Sequence, residues 1–509
     1  MRNRILLAFD GEVEKVARLL PPAVRATVHV PLRNTKEALA LDVLKALKGL
    51  RPAGRLFARW RVTFEGEQGR DDGGILVATY AKVHRHLYGC TATRHLFEVD
   101  PDAERGIADS ETCVLPLADA KWTATFAKGV PLEPPDAAAA PPPAAGSSGA
   151  GSSGASGAAR KRQRVDPPMS VEEALSLCGR LLAKVLLDGD WYSVDDRLPD
   201  FVLEYLVTDN TTSLNSLDGA LAALEQCRPG YARQYRELLA RGAHEWPAIF
   251  GCDELRACDL AGCESWDEDE RLTDANKTSL VIDAVKHQLV SVRRQALNAL
   301  KEGFQGADNC DRTLDGRPGP HAGQDNVYNF QLLLACMTPA DLALRLRGRP
   351  VSGGDDVCAR LRYRQQTEFA APVGSTTQGM GPVTDAVYAR VRGWLDALVR
   401  SLDPQTLGSL LYFMTGRKTV RASDFLDEEK DTITVLIWGP DRANIKEASR
   451  AGAGNVATVD GWLPTSSTCA RQMQLPAYSS EAKLREQLLG ALKQMEEGER
   501  QGRCELGYE

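Results

Sequence analysis

Residues 463–480 read LPTSSTCARQMQLPAYSS and place one cysteine, Cys469, among small hydroxyl residues. Pro464 and Pro476 flank it, and proline cannot continue a helix or a central strand. A free cysteine is ordinarily buried among apolar side chains. The hydroxyl-rich neighbours of Cys469 do not favour such burial. The stretch therefore predicts a thiol presented on a loop, just before a helix that begins near Ser480.

The chain's histidines bear on which reaction a presented thiol serves. A cysteine hydrolase needs a histidine base that a third group holds in place. The last of the seven histidines is His321, so none lies near Cys469 in the sequence. Exchange between a thiol and a thioester is less demanding, because the leaving group is itself a thiolate and a free thiol of pKa ~8.5 is already partly ionised at neutral pH. Acyl transfer is favoured, and hydrolysis stays an alternative.

The composition indicates a folded chain of two or three compact units. Of its 509 residues, 43% are hydrophobic and 26% are charged, close to the globular average. The net charge of -7 argues against non-specific binding to nucleic acid or acidic membranes. No stretch approaches the ~20 apolar residues of a membrane span, and the 12 cysteines follow neither a disulfide framework nor zinc-site spacing. We expect a soluble protein of a reducing compartment, with no metal or other cofactor.

Residues 132–168 are dominated by proline, alanine, glycine and serine. Such a segment cannot bury enough apolar surface to offset its chain entropy, so it is predicted to be a disordered insertion. It carries the basic cluster Arg160–Arg164 near its end. The cluster fits a nuclear import signal and a solvated linker charge equally well. We expect a cytoplasmic location, a nuclear one, or both.

Hydrophobic periodicity outlines the elements on either side of this insertion. After it, a helix capped by Ser170 is predicted to run to Leu187, and one long helix is predicted from Thr273 to Phe304. A glycine-, proline- and threonine-rich interruption over 370–382 has the composition of a hinge. The other predicted elements are helices over 35–50, 383–402, 407–414 and 480–496 and strands over 59–64 and 432–438.

Five motifs follow one another along most of the chain. The first is the glycine-rich turn Phe64–Gly74, the second lies in the helix segment Cys178–Leu187, and the third is the helix bracketed by Asn276–Lys277 and Gly303–Phe304. The fourth is the Phe-x-Thr-Gly of Phe413–Gly416. The fifth comprises Leu463, Pro464, Thr468, Cys469, Leu475, Pro476, Tyr478 and Ser479. In this order they resemble the signature motifs of the HECT-type ubiquitin-protein ligases.

The resemblance implies an α+β fold of two lobes. A large, mostly helical N-lobe would cover 1–369, including the insertion, and would bind a ubiquitin-charged conjugating enzyme through a subdomain at about 198–269. A flexible hinge would lie at 370–382. A smaller α/β C-lobe with the catalytic cysteine would cover 383–509.

The resemblance also assigns roles to residues of the last motif. Cys469 would be the nucleophile that takes ubiquitin as a thioester and passes it to a lysine of a protein substrate. Thr468, Ser467 and Pro464 would support the loop and orient the thiol. Because only 63 residues precede the first motif, we expect substrates to be reached through the insertion or through an adaptor protein.

The chain also departs from the family's pattern. Leu506 stands where the family usually has phenylalanine near its end, and Glu509 is the terminal acid that would help deprotonate the incoming lysine. Val77–Ala78 replaces a frequent Arg-Glu, and Ser467 replaces a frequent histidine. The substitutions at Val77 and Leu506 keep a third hypothesis open, a scaffold that binds ubiquitin or a conjugating enzyme without catalysis, although the intact cysteine loop argues against it.

Overall fold

The computed structural model describes most of the regular structure of the chain. The described residues are 28–33, 36–49, 60–64, 79–80, 83, 87, 96–98, 113–121, 169–188, 198–252, 255–256, 260, 271–305, 334, 337–368, 380–420, 432–440, 459–468 and 471–500. Their buried apolar side chains form two main clusters. The N-terminal core runs from Val30 to Leu346, and the C-terminal core runs from Val351 to Leu492.

The N-terminal core is built mainly from helices. Its short strands pair as β1 with β2, in parallel, and β3 with β4, antiparallel. The elements are β1 (Val28–Leu32), α1 (Lys36–Gly49), β2 (Trp60–Phe64), β3 (Phe97–Glu98), β4 (Leu115–Pro116), α2 (Val171–Asp188), α3 (Asp200–Thr208), α4 (Leu217–Cys227), α5 (Pro229–Leu239), α6 (Trp246–Phe250), α7 (Lys277–Leu289), α8 (Arg294–Gln305) and α9 (Pro339–Arg347).

Helices α2 and α8 pack against each other at the centre of this core. A Cβ atom at Gly179 would lie 1.9 Å from the Leu300 carbonyl oxygen, and one at Gly303 would lie 1.7 Å from the Ser176 carbonyl oxygen. Only glycine permits the two backbones to approach so closely. The prediction of α2 is confirmed, with its cap: the Ser170 Oγ accepts a hydrogen bond of 3.0 Å from the Glu173 N–H.

The long helix predicted from Thr273 to Phe304 is wrong, because the structure divides it. Helix α7 ends at Leu289, a 3-10 turn follows at Ser291–Arg293, and α8 begins at Arg294. The carboxylate of Asp119 accepts hydrogen bonds of 3.0 and 3.1 Å from the first free N–H groups of α8, those of residues 295 and 296. A side chain 176 positions before the first of these amides thus supplies the N-terminal cap of the second helix.

Glu98 joins four separate segments of the N-terminal core. Its carboxylate lies 2.6 Å from the guanidinium of Arg293 and 3.0 Å from both Arg228 and the Lys121 ammonium. It also accepts a 3.2 Å hydrogen bond from the Ala118 N–H. Burial alone would raise the pKa of Glu98, but the charge of Arg293 and these hydrogen bonds together lower it to about 2. The ionised carboxylate therefore stabilises the fold.

The C-terminal core is one twisted sheet covered by helices. The sheet has the strand order β5-β7-β9-β8, and β6 also pairs with β7. The elements are α10 (Gly354–Cys358), β5 (Leu361–Gln365), β6 (Met380–Gly381), α11 (Asp385–Ser401), α12 (Pro404–Thr415), β7 (Ile433–Pro440), β8 (Thr465–Ser467), β9 (Gln472–Pro476) and α13 (Glu481–Arg500). Mixed helices and sheets around these cores confirm the α+β class.

Strand β7 is the centre of this sheet. It runs parallel to β5 and β9 and antiparallel to β6. Its alternate residues Ile433, Val435 and Ile437 are buried in the C-terminal core, which the helices α11, α12 and α13 complete. The predicted strand over 432–438 is therefore confirmed.

Two predicted segments fall largely outside the described residues. The insertion at 132–168, with its basic cluster, lies wholly outside them. The interruption at 370–382 is described only from Met380, and there it pairs with β7. The lobe boundary at 369 stays a prediction. Strand β5 precedes this boundary, and its residue Leu361 packs in the C-terminal core. Within the described residues, no helix is long and apolar enough to cross a membrane.

Replacing Glu98 by glutamine should lower the free energy of unfolding at pH 7 by about 3 kcal/mol, because the fall in pKa from 4.5 to about 2 corresponds to that energy. The lowered pKa makes this contribution complete above pH 4.5, and it is lost as the pH falls towards 2. The matched control is Glu225→Gln. Its partner Arg236 is at 2.5 Å, but both side chains are about half exposed, so the loss should be about 0–1 kcal/mol.

Urea unfolding curves at pH 7 and pH 3 measure both effects. The difference between the wild type and Glu98→Gln should shrink at the lower pH. Equal losses in the two variants at pH 7 would contradict the role given to Glu98.

Candidate active site

The stretch that holds Cys469 is a hairpin at the edge of the C-terminal sheet. Strands β8 and β9 pair antiparallel, with Thr465 opposite Gln474 and Ser467 opposite Gln472. Cys469 itself and the alanine after it lie outside the described residues. The structure therefore defines the hairpin on both sides of the cysteine, at 463–468 and 471–476, which we call the frame.

The tip of this frame is tied to the middle of the sheet. The Arg471 N–H donates a hydrogen bond of 3.3 Å to the Thr468 carbonyl, and the Arg471 carbonyl accepts one of 2.9 Å from the Thr434 N–H at the start of β7. Arg471 has a φ of 47°, in the left-handed region that a non-glycine residue enters mainly at tight turns. The chain is therefore held at Thr468 on one side of the cysteine and at Arg471 on the other.

The predicted support residues lie on this hairpin. Pro464 is buried just before β8, Ser467 is exposed at its end, and Thr468 is half-buried where the strand stops. The structure thus gathers Pro464, Ser467 and Thr468 in the segment that leads into the cysteine. That these residues orient the Cys469 thiol stays a prediction. The tail residues Leu506 and Glu509 lie outside the described residues.

The prediction of a loop throughout this stretch is wrong, because β9 is an interior strand. Met473 and Leu475 are buried, whereas Gln472 and Gln474 are only half-buried. That alternation is the signal of a strand with one face in a core. Pro476 ends the strand, where the N–H that proline lacks is not needed to continue the ladder.

A network of hydrogen bonds fixes the base of the hairpin. The buried Tyr478 hydroxyl donates 2.7 Å to the Trp462 carbonyl. The Ser479 N–H and hydroxyl donate 2.8 and 2.5 Å to the Asp460 carboxylate, and the Gln487 side chain donates 2.9 Å to the Asp460 carbonyl. Burial, with the nearby charge of Asp460, raises the pKa of Tyr478, so its hydroxyl stays a donor at neutral pH.

Sequence reasoning missed part of this network. Tyr478 and Ser479 belong to the motif, but Asp460, Trp462 and Gln487 do not. The ring of Trp462 packs 5.1 Å from that of Trp438, centroid to centroid, and is still 43% exposed. No periodic pattern marks these residues, because their partners come from another strand and from α13.

Helix α13 begins directly after this network. The Ser480 Oγ accepts a hydrogen bond of 3.2 Å from the Lys483 N–H, as an N-cap does. Leu484, Leu488 and Leu492 are buried in the C-terminal core and hold the helix against the sheet. The predicted helix over 480–496 is confirmed. It fixes the end of the hairpin to the whole C-terminal core.

The side chains of Ser467 and Thr468, just before the cysteine, carry hydroxyl groups. The described residues of β7, the hairpin and α13 include no histidine. Hydroxyl side chains and strand ends lie next to the cysteine segment instead. In the described part of the chain, no group of three or more His, Cys, Asp or Glu side chains could hold a metal ion.

Comparison with known proteins identifies relatives of this region. Residues 321–498 match a family model described as HECT-domain (ubiquitin-transferase). The curated relatives include the E3 ubiquitin-protein ligases UPL1 and UPL2 of Arabidopsis thaliana. Each is 25% identical over 228 residues, which is 45% of this chain and 5% of the relative's own length. The resemblance found in the motifs is therefore confirmed for a region that contains the whole hairpin.

Tyr478→Phe should lower the free energy of unfolding by about 0.5–1.5 kcal/mol, because the part-buried hydrogen bond from its hydroxyl to the Trp462 carbonyl is lost. Amide hydrogen exchange should rise in peptides that cover 459–468. Tyr388→Phe is the control, at a half-buried tyrosine of α11. It should leave exchange in those peptides unchanged, and a rise of the same size in both variants would contradict the role of Tyr478.

Proposed function

We propose that this protein is a ubiquitin-protein ligase that works through a thioester on Cys469. The premise is that residues 321–498 match the HECT-domain family. The protein would accept ubiquitin from a conjugating enzyme and pass it to a lysine of a protein substrate. One observation carries the proposal: the family match spans the Thr-Cys and Leu-Pro signatures, and these lie on a hairpin fixed at its tip and its base.

The proposed reaction has two steps. In the first, the Cys469 thiolate attacks the carbonyl carbon of the thioester that links ubiquitin to the conjugating enzyme, and the enzyme's thiolate leaves. In the second, the amine of a substrate lysine attacks the new thioester, an amide bond forms, the Cys469 thiolate leaves, and the amine's proton passes to solvent. Each step passes through an oxyanion, which backbone N–H groups and hydroxyls can stabilise.

In the proposal, the hairpin supports this chemistry by holding the Cys469 nucleophile in a fixed orientation. A nucleophile held in a reactive geometry loses less entropy on reaching the transition state. The Thr468 and Arg471 backbone contacts fix the two points from which the cysteine segment departs. In the proposal, Ser467 and Thr468 supply hydroxyls beside the thiol, and Pro464 keeps the approach to it rigid.

A second surface supports the docking of a conjugating enzyme. Among the described residues, the exposed large hydrophobic side chains are Trp462 at the hairpin and Tyr231, Ile249 and Phe250 within the predicted subdomain at 198–269. Ile249 and Phe250 are adjacent at the end of α6 and are 48% and 47% exposed. Neighbouring exposed apolar side chains that form one patch mark protein-binding surfaces, whereas single ones do not. We therefore assign Ile249 and Phe250 to the docking surface.

The arrangement of two lobes and the cellular location complete the proposal. The two cores would act as the N-lobe and the C-lobe of the ligase. Substrates would be reached through the insertion or an adaptor, in the cytoplasm, the nucleus or both. The tail residues Leu506 and Glu509 would assist transfer to the lysine.

A charging reaction tests the thioester. The protein is incubated with ubiquitin, activating enzyme, conjugating enzyme and ATP, and the products are separated on a non-reducing gel. We expect a ubiquitin adduct that a thiol reductant removes and that Cys469→Ala abolishes. Cys178→Ala is the control, because burial raises the pKa of that thiol to about 12 and keeps it protonated; its adduct should persist.

The other outcomes of this experiment separate the alternatives. An adduct that survives in Cys469→Ala would rule out the proposed nucleophile. Cleavage of preformed ubiquitin chains would identify a hydrolase instead. Binding of a conjugating enzyme with no adduct in the wild type would identify a scaffold.

Phe250→Ala should raise the conjugating-enzyme concentration needed for half-maximal charging by about tenfold, the usual effect of removing an anchor residue. The charging rate at saturation should stay the same, because the hairpin is untouched. Gln494→Ala, on the exposed face of α13, is the control and should match the wild type. If Phe250→Ala also matches the wild type, conjugating enzyme does not dock on this surface.

A further inference from the structure

The C-terminal sheet has a second face, which points away from the C-terminal core. Leu361, Ile433 and Met473 are buried in that core, and successive residues of a strand point to opposite faces. Their neighbours along each strand therefore lie on the other side of the sheet, which we call the outer face. The polar residues of the outer face are all at least partly exposed: Arg362, Arg364, Thr434, Gln472, Gln474, Thr465 and Ser467.

One row of this face is polar from the edge of the sheet to the hairpin. The strand register places four residues side by side, in the order Arg362, Thr434, Gln472 and Ser467. We call them the polar row. Neighbouring strands are about 4.8 Å apart, so the row is about 14 Å long. It ends two residues before Cys469 in the sequence.

A second row runs beside the first. It begins with Arg364 and continues through Leu436, Gln474 and Thr465. The Thr465 hydroxyl donates 3.0 Å to the Gln474 Oε1, so these two side chains meet on the same face. Both rows therefore begin with an arginine on β5 and end with a hydroxyl on β8.

The outer face is positively charged, although the chain as a whole carries a net charge of -7. Arg362 and Arg364 are exposed, and the Arg362 guanidinium donates 3.2 Å to a neutral partner, the Ala359 carbonyl. None of the residues in the five described strands of this sheet is acidic. Guanidinium groups bind carboxylates through paired, charge-assisted hydrogen bonds. Charge complementarity therefore indicates an acidic occupant.

An exposed aromatic ring borders the two rows. Trp438 follows Leu436 by two residues along β7 and is buried on the outer face with Met380 and Val459. The ring of Trp462 packs on that of Trp438 and is 43% exposed. Tryptophan and arginine are the residues that most often carry binding energy in protein interfaces. The outer face thus has the composition of a surface that binds a polypeptide.

The place of the polar row, beside the cysteine segment, indicates which polypeptide it binds. In the second step of the proposed reaction a substrate lysine must reach the Cys469 thioester, so the chain next to that lysine passes over the residues beside Cys469. Threonine and glutamine side chains donate and accept hydrogen bonds, as the backbone of an extended peptide requires. A peptide that lies along the polar row would bring its acidic residues to Arg362 and Arg364.

The length of the polar row sets the spacing between the lysine and the acidic residues. An extended peptide rises about 3.3 Å per residue, so about four residues cover the row. The two residues from Ser467 to Cys469 add at most about 8 Å, or two to three more. The acidic residues would therefore lie about four to seven positions from the lysine.

We infer that the outer face binds an acidic, extended segment of the substrate and so selects lysines that have acidic residues about four to seven positions away. The inference deepens the proposed function and rests on it, because it names the class of substrate for the same cysteine. Arg362 and Arg364 are its specificity-determining residues. Trp462 provides an apolar contact at the border of the face.

Three peptides of equal length test the inference. The first has one lysine, five serine and glycine residues, and then three glutamates. The second has glutamines in place of the glutamates. The third has the glutamates directly after the lysine, followed by the serine and glycine residues.

The protein variants remove charge from the two sides of the sheet. Arg362→Gln/Arg364→Gln neutralises the outer face, and Arg364→Gln alone is a milder form that keeps the Arg362 bond to Ala359. Arg390→Gln is the matched control. Arg390 is an exposed arginine over the ring of Trp394, on helix α11, which packs on the core side of the sheet.

The first readout is binding, measured by fluorescence anisotropy with labelled peptides and the full chain. The wild type and Arg390→Gln should bind the first peptide at least about threefold more tightly than the second, because each exposed pair of an arginine and a carboxylate supplies a factor of about 1.5–5. The preference should disappear in the double variant, decrease in Arg364→Gln, and shrink as salt is added. The same preference in the double variant would overturn the inference. So would an oligothymidine of similar charge that displaces the first peptide as well as unlabelled peptide does, because the face would then bind any polyanion.

The second readout is transfer of ubiquitin from the charged protein to the peptide lysine. The ratio of product from the first peptide to product from the second should be at least about three in the wild type and in Arg390→Gln, and about one in the double variant. The third peptide should give at least about threefold less product than the first. Equal transfer to all three peptides would overturn the inference. A wild type that takes no ubiquitin would defeat the proposed function, and the anisotropy measurement would then decide whether the outer face binds acidic segments.

Discussion

The backbone pairing of β7 is the constraint on which the C-terminal half of the chain depends. A buried strand must satisfy its N–H and C=O groups, and β7 does so with β5, β6 and β9. The same pairing places Thr434 against Arg471 and so fixes the tip of the hairpin that leads to Cys469. It also fastens both flanks of the 370–382 interruption to one strand. The neighbours of this one strand therefore hold the hairpin residues on either side of the cysteine segment.

The N-terminal core shows a different kind of constraint, in which charged groups join distant segments. Glu98 meets Arg228 and Arg293 across more than a hundred positions of sequence, and Asp119 caps α8 across a similar interval. A helix pattern that reads as continuous from Thr273 to Phe304 is divided at Ser291–Arg293, where the Arg293 side chain pairs with Glu98. Buried ion pairs of this kind specify which segments meet, since an unpaired charge there would be costly.

The sequence predicted the elements whose signals are local. The amphipathic α2 with its Ser170 cap, the buried β7 and the terminal α13 agree with their predictions, because periodicity and capping act within a few residues. Strand β9 was missed, although Met473 and Leu475 alternate with glutamines, because the flanking prolines favoured a loop. The Asp460 network at the hairpin base gives no local signal, since its partners lie on α13 and beyond β9.

The sequence by itself determined the candidate nucleophile, its hydroxyl neighbours and the order of motifs that resemble a ubiquitin ligase, because residue identity and spacing are enough to state them. Only the tertiary structure decided that the residues flanking the cysteine form a hairpin tied to β7, and that the chain passes from the N-terminal to the C-terminal core between Leu346 and Val351. Composition marked 370–382 as the flexible place. A hinge there stays a prediction, while the structure shows that β5 and β6, which flank residues 369–379, both pair with β7. No count of glycine and proline can show which strand a segment will share.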